Sequence, residues 1–165
     1  MNEPNRQTLE RALGADARQP ARGGIYLAAP YSEKARVRDL ATVLRATGIP
    51  MASTWHDIED PPHVDEAELC RRAELNHGEL RHAAAAVFLL HRGTPRETLV
   101  EMGAALEQGK KCLAFIDPAQ HWTQIPISVR RKRVTREDVP LESTIHTGER
   151  TWLAMRIAVW FSGVS

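Results

Sequence analysis

The chain has 165 residues, 42% of them hydrophobic and 5% aromatic, so it is long enough for one globular domain and short for two. Its 22 basic and 21 acidic residues leave a net charge of +1, which disfavours a dedicated nucleic-acid-binding protein. The longest apolar runs are about half the ~20 residues that a membrane helix needs. The start of the chain lacks the apolar core of a signal peptide, and its two cysteines, Cys70 and Cys112, cannot build a disulfide framework. We therefore expect a cytoplasmic protein with no membrane or nucleic-acid partner.

The first half of the chain predicts an arm and then a strand–helix–strand unit. Residues 1–22 hold only a short helical pattern before a Pro and Gly-rich stretch, so we expect a loosely held N-terminal arm and a single domain over residues 23–165. Residues 25–29 predict a buried strand, and apolar residues at helical spacing predict a helix over residues 37–44. A second strand is predicted over residues 49–54.

The second half continues the same alternation. Residues 65–83 predict a helix, residues 84–90 a fully apolar strand, residues around 99–106 another helix and residues 111–116 a further strand. Strands separated by helices indicate an α/β fold with a flavodoxin-like (Rossmann-like) parallel sheet flanked by helices. Residues 125–129 are a candidate last strand, and residues 151–161 predict a closing helix.

A ligand site is expected where two loops follow the first and third predicted strands. In open parallel sheets, ligands bind beyond the carboxyl ends of the strands, where loops diverge and helix N-termini point inward. The two loops are residues 29–32, which contain Ala29, Pro30, Tyr31 and Ser32, and residues 91–97, which contain Gly93 and Thr94. Both loops are rich in polar and turn-forming residues.

Two glutamates lie on the helix that follows the second of these loops. Glu97 and Glu101 are four residues apart, so they share one side of the helix near the end whose dipole stabilises carboxylates. The small residues at 103–105 would let this helix lie close to the sheet. Spacing alone leaves open whether the two acids form a site or an ordinary solvated face.

Two segments of the chain are recognisable together. Residues 24–31 read Gly-Ile-Tyr-Leu-Ala-Ala-Pro-Tyr, and Gly93-Thr94 is followed by Glu-Met-Gly-Ala-Ala-Leu at 101–106 and Gly109-Lys110. At this spacing they resemble the nucleoside 2-deoxyribosyltransferase family, whose broader superfamily includes hydrolases that remove a base from a nucleoside 5′-monophosphate. The resemblance covers residues 24–116. It implies a flavodoxin-like domain that uses no metal and no dissociable cofactor.

The resemblance also implies a reaction. In the family a glutamate attacks the anomeric carbon of the sugar, and its counterpart here is Glu101. Departure of the base leaves an oxocarbenium-like centre that an adjacent carboxylate stabilises and then captures. We therefore expect cleavage or transfer at the N-glycosidic bond of a nucleoside or nucleoside 5′-monophosphate. The alternative is a member of the same fold that binds or senses a nucleotide without turning it over.

The chain departs from the family pattern at the residue that would protonate the base. Family members commonly carry an aspartate in the helix before the third strand, where this chain has Asn76. Asn76 is then a candidate to bind a base edge, and Glu79, one turn later, is the candidate proton donor. A second acidic position of the family falls near Arg96, which with Ser32 and Thr94 would suit a phosphate. The spacing of Gly93-Thr94 to Glu97 also occurs in phosphoribohydrolases of the cytokinin-activating type, but the glycine pair that should precede it is absent, so Glu97 is the lesser candidate for catalysis.

Aromatic residues complete the predicted site. Tyr31 lies on the first ligand loop, where its hydroxyl is a candidate to orient Glu101 or a sugar oxygen, whereas Tyr26 is interpreted as core. Trp55 and the neighbouring Asp57 are candidates to cover a base, against a reading of Trp55 as simple packing. The bulky apolar residues of the last predicted helix, and the oligomeric state of the family, predict a homo-oligomer. No metal-ligand spacing is present in the sequence.

Overall fold

The computed structural model describes residues 23–93, 95–117, 134–139 and 148–164. Within these ranges the strands are β1 (Ile25–Ala28), β2 (Ala85–Leu89), β3 (Lys111–Ile116) and β4 (Val134–Asp138). The helices are α1 (Lys34–Ala46), α2 (Glu66–His82), α3 (Arg96–Glu107) and α4 (Gly148–Ser162), and a 3₁₀ turn spans Tyr31–Glu33. None of the helices in the described ranges is long and apolar enough to cross a membrane.

The described strands form one parallel sheet in the order β1-β2-β3-β4. Ile25 pairs with Ala85, and Ala85 pairs in turn with Lys111, so the three apolar strands run in step. On its other side, β1 makes one parallel bridge, between Ile25 and Met51. The segment around Met51 therefore lies outside β1, which gives the flavodoxin-like order that the sequence predicted and confirms the fold class.

The strand predicted over residues 49–54 is wrong in extent, because this segment makes only the single bridge at Met51. Beyond it, a side chain replaces the backbone partner: the Leu27 amide donates to Ser53 Oγ at 3.0 Å. The chain then turns at residues 55–57. Apolar character predicted burial correctly, since Met51 and Ala52 are buried, but burial at a sheet edge does not require a paired strand.

Strand alternation divides the core into two layers. Ile25 and Leu27 face α1 and α4, where they pack with Leu44 and Ile157. Tyr26 and its neighbours of the same parity face α2 and α3; this second cluster includes Ala28, Phe88, Leu80 and Met102. Side chains of α2 and α3 therefore reach the opposite face of the sheet from those of α1 and α4.

The two ends of α2 follow from local sequence. Asp65 caps the helix by accepting a hydrogen bond from the Glu68 amide at 2.8 Å, which satisfies one of the unpaired amides of the first turn. Basic residues, Arg81 and His82, occupy the last turn, where the helix dipole favours them.

The C-terminal part of the fold was predicted less completely. The candidate strand at residues 125–129 and the arm at residues 1–22 lie outside the described residues. The last described strand is β4, whose mixed polar sequence Val-Thr-Arg-Glu-Asp carries no apolar run. On α4, Ile157 is buried and Trp152 and Trp160 pack against the core, whereas Met155 remains 54% exposed. Much of the apolar surface behind the predicted homo-oligomer is thus used within the chain, and the oligomer stays a prediction.

Candidate functional site

The two loops predicted to border a ligand are in contact. Gly93 has φ +67°, and a Cβ at that position would lie 3.1 Å from both Ser32 Oγ and the Cβ of Pro30. The loop after β2 thus lies directly against the loop after β1, and the contact leaves no room for a side chain at position 93. Glycine is favoured here for its backbone conformation and for this close approach.

Glu101 is held by a tyrosine of the sheet. It lies in the second turn of α3 and accepts a hydrogen bond at 2.6 Å from the hydroxyl of Tyr26, which is completely buried. Burial raises the pKa of Glu101 to about 6, opposed by the Tyr26 hydrogen bond and assisted by the negative charge of Glu97. At neutral pH the group is therefore largely ionised, and its orientation is fixed.

Glu79 is a second buried carboxyl group in the same region. It lies on α2 and is 4% exposed; Thr54 donates to it from its amide at 2.9 Å and from its hydroxyl. Burial raises the pKa of Glu79 against the effect of these two hydrogen bonds. Burial also raises the pKa of Tyr26, and the charges of Glu101 and Glu79 raise it further. The negative charges of Glu101 and Glu79 therefore both raise the pKa of the same side chain, that of Tyr26.

One face of α2 carries a row of polar side chains. Arg72, Asn76 and Glu79 are spaced four and three residues apart, so they follow one another along the helix. Among the described residues, the side-chain oxygen of Asn76 is buried without a hydrogen-bond partner. A buried amide oxygen with no donor is costly, so it is available to an incoming donor such as a base edge.

In the structure Tyr26, and not Tyr31, donates a hydrogen bond to Glu101, whereas a contact of Tyr31 with a sugar oxygen stays a prediction. The Tyr31 hydroxyl contacts Asp60 instead, and its ring is 49% exposed at the edge of the loop. The reason lies in strand parity: Tyr26 is inside β1 and projects toward α3, whereas Tyr31 follows the strand and turns toward residues 55–65.

Asp60 is the centre of a small ionic cluster at that point. Its Oδ1 accepts from Lys34 Nζ at 2.7 Å, from Arg72 Nη1 at 2.9 Å and from the Tyr31 hydroxyl. These hydrogen bonds hold the pKa of Asp60 well below its usual range, with Lys34 as the largest cause. The Lys34 ammonium also lies 5.3 Å from the centre of the Tyr31 ring. Sequence reasoning missed this cluster because its members are far apart along the chain.

Trp55 and Asp57 are not brought to Glu101. The indole N–H of Trp55 donates to the Leu27 carbonyl at 2.7 Å, and its ring packs on the core layer that faces α1. Asp57 pairs with Arg45 of α1 at 2.6 Å and lies 3.2 Å from His56 Nδ1. Despite its partial burial, these partners lower the pKa of Asp57 to about 2. A direct role of either residue at the carboxylate site stays a prediction that these contacts do not favour.

The remaining predicted residues lie along the two loops and the start of α3. Ala29 and Pro30 are buried beneath the loop junction, and Ser32 is exposed beside Gly93. Arg96 and Glu97 are exposed in the first turn of α3, and Thr94 lies outside the described residues.

A glutamate from the far end of the chain supports the second loop. Glu149 of α4 lies 2.7 Å from His91 Nε2 and 2.8 Å from Arg92 Nη2, and both partners immediately precede Gly93. These contacts lower the pKa of Glu149 although its burial opposes the change. Sequence analysis missed this residue because nothing local to Glu149 signals a partner 58 positions away.

Comparison with known proteins identifies the fold and no more. No protein-family model and no curated protein matches the chain. Among solved structures, the Clostridium botulinum CMP N-glycosidase BcmB is similar, with a TM-score of 0.56 over 82% of this chain and 98% of that chain. The two sequences are 14% identical, so the likeness is one of fold.

Proposed function

We propose that this chain breaks the N-glycosidic bond of a nucleoside or nucleoside 5′-monophosphate, with Glu101 as the nucleophile. The observation that carries the proposal is the half-buried Glu101 carboxylate, oriented by Tyr26 beside a second buried carboxyl group, Glu79. The similarity in fold to a CMP N-glycosidase is consistent with this reaction. So is the resemblance of the motifs at residues 24–31 and 101–106 to the deoxyribosyltransferase family.

The proposed reaction proceeds in two steps. A Glu101 carboxylate oxygen bonds to the anomeric carbon as the bond from that carbon to the base nitrogen breaks, and the bonding electron pair leaves with the base. Glu79 gives its proton to the base, so that a neutral base departs. Water or a second base then attacks the anomeric carbon and returns a proton to Glu79, which frees Glu101. Water gives hydrolysis, and a base gives transfer.

Tyr26 has a positioning role in this proposal. Its hydroxyl donates to one Glu101 oxygen, Oε1, which leaves Oε2 as the oxygen free to attack. The raised pKa of Tyr26 keeps it protonated, so it remains a donor throughout the reaction. Asn76, which lies between Glu79 and Arg72 on α2, would accept a hydrogen bond from the substrate, because its buried oxygen has no partner among the described residues.

The test is direct. The purified chain is incubated with CMP, other nucleoside monophosphates and their nucleosides, with and without an acceptor base, and free or exchanged base is measured by chromatography. We expect release of base by the unaltered chain and none by Glu101→Gln. Mass spectrometry of the acid-quenched reaction should show a glycosyl adduct on the peptide that contains Glu101. A nucleotide that binds without any release of base would instead support the non-catalytic, sensing alternative.

A second measurement tests the proton donor. If Glu79 protonates the base, Glu79→Gln should lose turnover of ordinary substrates by about 10²-fold or more. It should keep most of its activity toward a glycoside whose leaving group departs without a proton. Equal losses on both kinds of substrate would assign Glu79 a structural role through Thr54 instead.

A further inference from the structure

We propose that Lys34, Arg72 and Tyr31 form a phosphate-binding site that Asp60 occupies from within the chain when no ligand is bound. This inference deepens the proposed function, because it assigns the site to the 5′-phosphate of a nucleotide substrate. It places the phosphate on different residues from the loop and helix start around Arg96.

The hydrogen-bond donors of the cluster converge on one point. An ammonium group, a guanidinium group and a phenol all donate to one carboxylate oxygen, Asp60 Oδ1. Among the described residues, a further Arg72 nitrogen, Nη2, is buried without a partner. A phosphoryl group carries three strong acceptor oxygens, so it can satisfy more of these donors than the one oxygen of Asp60 does.

The cations of the cluster are less exposed than its anion. The side chains of Lys34 and Arg72 are 11% and 16% exposed, whereas that of Asp60 is 42% exposed. The cations are thus fixed in the protein, and the anion lies outermost on a loop. Arg72 is held in place by a second bond, from its Nε to Glu68 at 2.7 Å, that does not depend on Asp60. An incoming anion can therefore displace Asp60 without dismantling the cationic side of the cluster.

Arg72 is aligned with Glu79 along α2. Arg72, Asn76 and Glu79 share one face of α2, and Arg72 lies about 10 Å from Glu79 along the helix axis. A nucleotide with its glycosidic bond near Glu79 and Glu101 would extend its phosphate along this face toward Arg72. The same separation fits an extended ligand better than a compact one such as a free base.

The experiment measures binding of inorganic phosphate, and of CMP in the Glu101→Gln background, by calorimetry. We expect Asp60→Asn to tighten phosphate binding about tenfold, because the competing carboxylate is removed. We expect Arg72→Ala to weaken it by at least about tenfold. Arg71→Ala is the matched control, since Arg71 is adjacent to Arg72, also pairs with Glu68, and has a side chain that is 58% exposed. The affinity of Arg71→Ala for phosphate should equal that of the unaltered chain.

The outcomes separate this site from the proposed reaction. Unchanged affinity in Asp60→Asn, or equal effects of Arg72→Ala and Arg71→Ala, would overturn the site even if the chain releases base from nucleotides. A loss of phosphate binding in Arg96→Ala but not in Arg72→Ala would move the phosphate to the start of α3 and also overturn it. Phosphate binding that follows the expected pattern without any release of base would keep the site and reject the reaction. A thermal melt checks that Arg72→Ala is folded at the temperature of the assay. Asp60→Asn tests the site independently, because it is expected to tighten phosphate binding instead of weakening it.

Discussion

Tyr26 donates its phenolic hydrogen to Glu101 at 2.6 Å, across the contact between β1 and α3. The tyrosine is completely buried and the glutamate is half-buried, so the bond ties the Glu101 carboxyl group to the buried core of the sheet. A carboxylate on the second turn of a helix would otherwise have several rotamers available. The sheet therefore selects the orientation of Glu101.

Replacing the proposed nucleophile should remove activity and leave the fold intact. We expect Glu101→Gln to lower kcat for base release by at least ~10³-fold, because no covalent intermediate forms. Glu97→Gln is the control, since Glu97 lies one turn earlier on the same helix and is exposed. Circular dichroism checks the fold of both. Comparable rates in the two variants would remove Glu101 from the reaction.

The pH dependence of the unaltered chain should report the pKa of Glu101. Since burial raises this pKa to about 6, kcat/KM should fall about tenfold per pH unit below that value as the nucleophile becomes protonated. Tyr26→Phe removes a hydrogen bond that lowers the pKa, so it should move the acidic limb to higher pH. An unmoved limb in Tyr26→Phe would mean that another group sets the profile.

The raised pKa of Glu101 should also make the free energy of unfolding depend on pH. The pKa of Glu101 is higher in the folded chain than in the unfolded one, so its contribution to stability is complete at low pH and is lost as pH rises through about 6. Relative to the unaltered chain, Glu101→Gln should therefore gain up to about 2 kcal/mol between pH 4 and pH 8. Urea denaturation at several pH values measures this difference. A difference that does not change with pH would contradict the raised pKa.

Two glycines with the same backbone conformation allow the loop contact to be tested. Gly109 has φ +70°, and apart from its own chain neighbours no residue comes within 4 Å of the point that a Cβ would occupy, so Gly109→Ala should cost only the ~1–2 kcal/mol of a left-handed residue. Gly93→Ala should cost more and should also lower activity, because its methyl group would press on Pro30 and Ser32. Denaturation and base-release assays on both variants compare the two. Equal losses of stability in the two variants, with normal activity in Gly93→Ala, would show that the loop around residue 93 accommodates the methyl group by shifting.

Glu149 of α4 should stabilise the loop that follows β2 through its contacts with His91 and Arg92. Glu149→Gln should destabilise the chain by about 2 kcal/mol, since a neutral amide replaces the charged acceptor of buried His91 and of Arg92. Glu74→Gln, at an exposed position of α2, should stay within about 0.5 kcal/mol. Chemical denaturation measures both. If Glu149→Gln unfolds like the control, the cluster at residue 91 does not hold the loop in place.

The sequence predicted the fold well wherever burial is periodic. The strands at residues 25–28, 85–89 and 111–116 and the helices between them lie close to the predicted ranges, because apolar runs and helical spacing reflect local burial. The segment at residues 49–54 was predicted as a strand because it is apolar and buried, but it makes a single bridge. Strand β4 was missed because its sequence carries no apolar run.

The candidate site was predicted only in part, because its contacts join distant parts of the chain. Glu101 and Glu79 were named from spacing and resemblance; in the structure Glu101 is half-buried and Glu79 is buried, and burial raises the pKa of both. Tyr26 was interpreted as core, and it is buried, but a tyrosine within a buried strand also needs a partner for its hydroxyl. That requirement was the one available signal for its bond to Glu101.

The outer edge of β1 has a consequence for how copies of this chain can associate. Ile25 exchanges hydrogen bonds with Pro50 and Ala52, while the Leu27 amide and carbonyl are taken by the side chains of Ser53 and Trp55. An unpaired strand edge is a template for adding a foreign strand and for aggregation. Because these backbone groups of β1 are already engaged, a second copy of the chain cannot add a strand directly to β1 at this side.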